Sequence, residues 1–255
     1  IDSALNPIWS YSHGGTGEMI EKLMNQEVDA AILLTEGFFK CQEYFKPIFA
    51  DFYISSPLVW GIHNSYESKL DYLAAPNKLD ALISRPHSGS HLMLHVLANR
   101  ERWNTLPKTK IIGNLQGALD YNANNQDEYI FLWEQFTTEP YCKPGGFKCI
   151  DSIPTPWPAF CIALRPDILV DYPTNEIKAF FAELKQSVLN RVFGESITED
   201  ISHFTGLDQR KISEWREQTE WYGVEDVKGT LQACDTELLK YGVIKNSQLS
   251  SITTL

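Results

Sequence analysis

Two hydrophobic periods alternate along this chain, and the switch between them outlines its elements. Met19, Ile20, Leu23 and Met24 recur at helical spacing, and Val28 to Leu34 follows as an unbroken apolar run, which predicts a helix and then a buried strand. A run without alternation suits a parallel strand covered on both faces, so the pattern points to an α/β layer architecture. The same unit recurs further on. Leu79 to Ser84 predicts a strand, His87-Ser88-Gly89-Ser90 a turn, and Leu92, Met93, Val96 and Leu97 the buried stripe of the next helix. Asn114 caps a short helix carrying Leu115, Ala118 and Leu119, the polar NANNQDE tract closes it, and Tyr129 to Trp133 reads as a strand.

Phe52 to Ile62 and Phe160 to Leu164 read as extended segments beside prolines: Pro57 within the first, and Pro154, Pro156 and Pro158 ahead of the second. These two segments are expected to cross between lobes. From Thr174 onward the period becomes helical. Ile177, Phe180, Phe181, Leu184, Val188 and Val192 form one stripe, Ser196-Ile-Thr-Glu199 or a neighbouring frame has the form of a capping box, and Val227, Leu231, Cys234 and Leu238 define the last helix. No tandem repeat, low-complexity tract or long linker interrupts the pattern.

Composition narrows the function classes. With 255 residues, 43% hydrophobic and 22% charged, the chain is of ordinary globular make-up, which sets aside disorder and fibres. Its 33 acidic against 22 basic residues give a formal charge of −11, which repels nucleic-acid phosphates and anionic membrane surfaces, so neither is expected as a partner. No run approaches the ~20 apolar residues of a membrane-spanning helix. The expectation is a cytoplasmic protein, or a periplasmic or secreted one if a leader preceding Ile1 has been removed. The five cysteines are odd in number and show no CxxC pair, so reduced structural thiols are expected, with no disulfide framework, zinc ribbon or cofactor.

Candidate chemistry lies at turns and strand ends. Gly15-Thr16-Gly17 and Ser88-Gly89-Ser90 each precede a helix, where backbone N–H groups and the positive end of the dipole meet an acceptor group. Either turn alone is explained by helix capping; two in similar units suggest a ligand at the carboxyl ends of α/β strands. Glu36 ends the first strand, and Gly37 is expected to let the chain turn sharply after it. The carboxylate either accepts from an amine or amidine-like ligand group or is a solvated loop charge. Trp133-Glu134 repeats the arrangement, with a flat ring for stacking or for the core and a second acceptor. His87, His91 and His95 stand four apart on one stripe without an HExxH glutamate or a cysteine nearby, so they are read as structural or surface histidines and no metal is expected there. No GxSxG elbow supports a serine triad.

Taken in order, GGTGEMIEKLMNQEVDAAILLTEG, SSPLVWGI, SRPHSGSHLMLHVLAN, FLWEQFTT and IPTPWPAFCIAL resemble a family of fungal and bacterial proteins with the type II periplasmic-binding-protein fold. The resemblance covers most of residues 12–165. It implies two α/β lobes, residues 1–56 with 158–255 and residues 57–157, joined by two crossing strands that act as a hinge. It further implies a small polar solute bound in the cleft, with Thr16, Ser88, Gly89 and Ser90 donating hydrogen bonds and Glu36 and Glu134 orienting polar groups. Ser55 and Ser56 would line the hinge, and Trp133 or Trp157 would stack on a ring. The wider superfamily includes binders of alkanesulfonates, nitrate and thiamine precursors, and an enzyme that makes the thiamine pyrimidine. The cysteine cluster of that enzyme's iron site has no counterpart in the sequence, so binding rather than catalysis is expected, with a ligand-dependent sensor as a further reading. Members of the fold ordinarily carry a strand and a helix before the segment matching Leu5 to Trp9; either these precede Ile1 or the protein fills that position differently.

Overall fold

The computed structural model describes residues 5–12, 15–64, 78–86, 88–125, 128–144, 146–194 and 196–255. His13, Gly14, His87 and the Gln126-Asp127 part of the polar tract lie outside the described residues. In chain order the elements are α1 (Gly15–Met24), β1 (Ala30–Leu34), α2 (Thr35–Cys41), β2 (Ile48–Asn64), β3 (Asp80–Ile83), α3 (Gly89–Arg100), β4 (Lys108–Ile111), α4 (Leu115–Asn124), β5 (Tyr129–Glu134), α5 (Gln135–Thr138), β6 (Lys148–Leu164), α6 (Ile168–Asp171), α7 (Thr174–Val192), α8 (Ile197–Thr205), α9 (Gln209–Gln218) and α10 (Val227–Lys240). Hydrogen-bonded strand neighbours follow the order β1-β6-β2-β5-β3-β4. The chain divides into two compact units, Ile1–Pro57 with Pro156–Leu255, and Leu58–Thr155. The long strands β2 and β6 each run through both.

In the first unit β1 pairs antiparallel with β6, from Ala30 opposite Leu164 to Leu34 opposite Phe160. The expected parallel neighbour is thereby corrected: a continuous apolar run reports that both faces are covered and carries no information on strand direction. The strand starts at Ala30, two residues later than Val28. The core here gathers Ile48, Ile162, Leu164, Ile168, Ile177 and Tyr222, with Phe181 and Val188 of the α7 stripe packed against it. Leu231, Cys234 and Leu238 of α10 are buried as the periodicity predicts. Ser196 stands at the start of α8 but caps no backbone N–H with its side chain, so the expected capping box does not form; its backbone is already helical and turns the hydroxyl away from the cap geometry. Asp208 and Asp226 instead cap α9 and α10. Thr253 and Leu255 bond the backbone of Phe49, so the final residues extend the edge of β2.

In the second unit β5 lies between β2, antiparallel to it, and β3, parallel to it; β4 is parallel to β3. Leu82, Ala118, Tyr129, Phe131 and Phe147 form the buried cluster. Sequence reading missed β4, whose KTKI shows neither a clean alternation nor an apolar run, as suits a polar edge strand. Pro154, Pro156 and Pro158 lie inside β6 rather than ahead of it. Their spacing of two puts all three missing N–H groups on one edge of the strand, so the other edge keeps its donors.

Arg165 anchors the far end of β6. It is 6% exposed; its Nε bonds Asp29 at 2.7 Å and Nη1 meets Asp167 at 2.9 Å, while Nη2 bonds Asp171. Because the arginine is buried and its partners are half exposed, removing it leaves three carboxylates that water re-solvates. Arg165→Ala is expected to destabilise the chain by about 2–3 kcal/mol, and Arg165→Lys, without the planar fork, to recover only part. Urea denaturation of the two variants measures this; equal stability of Arg165→Lys and the natural chain would show the fork geometry to be immaterial.

Candidate functional site

In the first unit the candidate residues gather at the carboxyl end of β1. The Leu34 N–H donates to Thr16 Oγ1 at 3.2 Å, tying the amino end of α1 to the strand end. The chain does not enter a loop there. Thr35, Glu36 and Gly37 form the first turn of α2, and Gly37 is required for contact, not for turning: a Cβ on it would lie 2.3 Å from the Thr16 methyl. Glu36 therefore sits where a helix dipole favours a carboxylate, yet it is 5% exposed. Trp157 Nε1 donates to its Oε2 at 2.8 Å, and its Oε1 has no partner among the described residues. Burial pushes the carboxyl up to about 7, against the opposing pull of hydrogen bonds from its own backbone N–H and Trp157.

Trp157 is 3% exposed, with its ring edge-on to Tyr241. Its surface is taken up by packing and by the hydrogen bond to Glu36. Ser55 and Ser56 likewise have partners: Ser55 Oγ donates to the Glu220 carbonyl and accepts from Gly223 N–H, and Ser56 Oγ accepts from Glu220 N–H. They hold the Glu220–Gly223 segment against β2.

In the second unit the parallel register brings strand ends to one edge. Leu82 opposite Phe131 and Ile83 opposite Ile111 place Ser84, Trp133 and Ile112 side by side at the carboxyl edge of β3, β5 and β4. Helices α3, α4 and α5 start from that edge, capped by Ser88, Asn114 and Glu134. Ser88 Oγ accepts from His91 N–H. Ser90 Oγ accepts from Ser84 N–H at 3.0 Å and lies 3.0 Å from Ser88 Oγ, so Gly89 is bracketed by a buried hydroxyl chain. Glu134 accepts from Phe136 N–H and Thr137 N–H, both at 2.8 Å. Both oxygens cap its own helix, because the sharp strand-to-helix turn aims two orphan donors at it. Trp133 is half-buried and stacked on Phe131. The rings of His91 and His95 pack edge-on against each other.

A further grouping escaped the sequence reading. His63 on β2, Cys142 after α5 and Cys149 on β6 each bring a ligating atom within 4.8 Å of the others. The Cys149 thiol is pulled down, to about 5, first by its hydrogen bond with Cys142 and then by His63, while the same bond holds Cys142 up. A separation of 79 residues between the imidazole and the first thiol left no local spacing to signal it.

Comparison with known proteins agrees with this architecture. The family model of the Ca3427-like PBP, a periplasmic-binding-protein family, matches residues 60–153. No curated protein sequence matches the chain. Among solved structures, the Candida albicans CA3427 gene product, described as defining a family with the generic periplasmic binding protein fold, is 26% identical with a TM-score of 0.80, over 95% of this chain and 84% of its own. A ligand-binding component of an ABC-type import system from Staphylococcus aureus, with zinc bound, is 12% identical with a TM-score of 0.72, over 94% and 83%. The periplasmic aliphatic sulphonate binding protein SsuA of Escherichia coli is 12% identical with a TM-score of 0.63, over 94% and 81%. The chain has the periplasmic-binding-protein fold, and the Staphylococcus aureus and Escherichia coli proteins are described as binding proteins. No helix among the described residues is long and apolar enough to cross a membrane.

The elevated Glu36 carboxyl carries a pH signature. Its folded value of about 7 lies above the ordinary 4.5, so the unfolded chain loses this proton first, and stability drops as pH rises through that window. Glu36→Gln has no such loss. The stability of Glu36→Gln minus that of the natural chain should grow by about 2–3 kcal/mol between about pH 5 and about pH 8. Denaturant titrations at both pH values measure it, and a flat difference would mean the carboxyl is ionised throughout.

Proposed function

We propose that the protein binds a small polar solute at the carboxyl edge of the parallel strands in its second unit, where the amino ends of α3 and α4 take an anionic or hydrogen-bond-accepting group. The observation that carries this reading is the convergence of the Ser84, Ser88 and Ser90 hydroxyls with those two helix starts at adjacent parallel strands, the usual position for ligands of open α/β sheets. The solute-binding proteins among the structural neighbours support it, and the sulphonate binders among them fit an anionic group.

In the first unit, taken by itself, Glu36 Oε1 offers a separate acceptor. A buried carboxylate oxygen without a partner is costly, and a ligand N–H or O–H relieves that cost. An amine- or aminopyrimidine-bearing molecule, including thiamine-precursor-like compounds, satisfies it, as does a hydroxyl-rich one.

Native mass spectrometry of the purified protein, followed by calorimetry with alkanesulfonates, small carboxylates and aminopyrimidines, tests the proposal. One molecule is expected to bind per chain. Ser90→Ala is expected to weaken it by about 1–2 kcal/mol, roughly 5- to 30-fold, through loss of a buried hydroxyl. Absence of any retained molecule, together with no heat from any compound in the panel, would overturn the reading; equal affinity of Ser90→Ala would move the site away from the β3 edge.

A further inference from the structure

The thiols and imidazole of the second unit stand apart from that solute edge in role. Cys142 Sγ lies 3.7 Å from His63 Nδ1, and all three ligating atoms fall within 4.8 Å of one another. Donors of a tetrahedral zinc ion, at about 2.3 Å for sulfur and about 2.0 Å for nitrogen, sit roughly 3.5–4 Å apart. Small side-chain rotations therefore close the group onto one ion.

Nδ1, the nitrogen that faces Cys142, is the donor the ion would take, since one ion cannot bind both ring nitrogens. His63 is fully buried, and its Nε2 has no hydrogen-bond partner among the described residues. A histidine buried for packing alone is ordinarily hydrogen-bonded, because an orphaned ring nitrogen carries its full desolvation cost. Gly61 lets the ring approach: a Cβ there would come 2.7 Å from Nε2 and 3.6 Å from Cys149 Sγ, so the imidazole and the thiol both rest over the glycine. The rings of Phe131 and Phe147, at 5.9 Å and 5.3 Å from the imidazole and 5.3 Å from each other, pack together against it. Cys149 is exposed, which supplies an entry path.

We propose that His63, Cys142 and Cys149 form a binding site for a thiophilic divalent cation of the zinc type, with three protein ligands and the fourth position open to water or a solute. Two thiolates and one imidazole are soft and borderline donors, which select zinc over magnesium or calcium. Ligation displaces the thiol protons to solvent and leaves the cysteines reduced.

Reduced, chelator-treated protein titrated with Zn2+ against a chromogenic competitor, and with Co2+ as a spectroscopic probe, provides the test. One ion per chain is expected, with a sulfur-to-cobalt charge-transfer band. Cys149→Ser, at an exposed position, should keep the fold by circular dichroism and weaken the ion by at least roughly 100-fold, the upper end of what a supporting residue costs. In the natural chain Zn2+ should also protect Cys142 and Cys149 from alkylation. Absence of binding by the folded chain, a cobalt complex lacking the sulfur band, or unchanged affinity in Cys149→Ser would each overturn the assignment.

Discussion

The register of β5 is the constraint on which the second unit depends. On one side it holds β3 in parallel register, Asp80 opposite Tyr129, and β3 passes that direction to β4. Every helix start that follows these strands is therefore on the same edge, and Ser88, Asn114 and Glu134 become caps at one place. On its other side β5 pairs antiparallel with β2, and His63 stands opposite Phe131. A slip of one residue would turn His63 to the other face, away from Cys142, and would expose Phe131.

The first unit is organised around an electrostatic compromise. Glu36 lies where the start of α2 favours negative charge, but burial works against it strongly enough to lift the carboxyl to about 7. Trp157 donates to one oxygen, and the other has no partner among the described residues. Its position is held by packing: Gly37 admits the Thr16 methyl, and Thr16 in turn receives the N–H of Leu34.

Several candidates turned out to serve the fold. Ser55 and Ser56 secure the segment around Glu220, Glu134 satisfies the donors of its own helix, and Trp157 is enclosed. Short polar side chains at strand ends are drawn to orphan backbone groups whether or not a ligand is near, so residue type and position alone do not separate the two roles.

The sequence by itself determined the elements whose signal is local: the α1 stripe, the caps at Ser88 and Asn114, the strand at Tyr129–Trp133, and the buried faces of α7 and α10. Periodicity and capping act over one or two turns of chain, so they are written in neighbouring residues. The resemblance carried by LTEG, WEQFTT and TPWP supplied the architecture. Tertiary structure alone decided strand direction at β1, the polar edge strand β4, the enclosure of Trp157, and the meeting of His63 with Cys142 and Cys149. Each of these depends on which distant segment lies alongside, and a side chain's hydrogen-bond partner or neighbouring thiol is set by that pairing and not by its own neighbours in the chain.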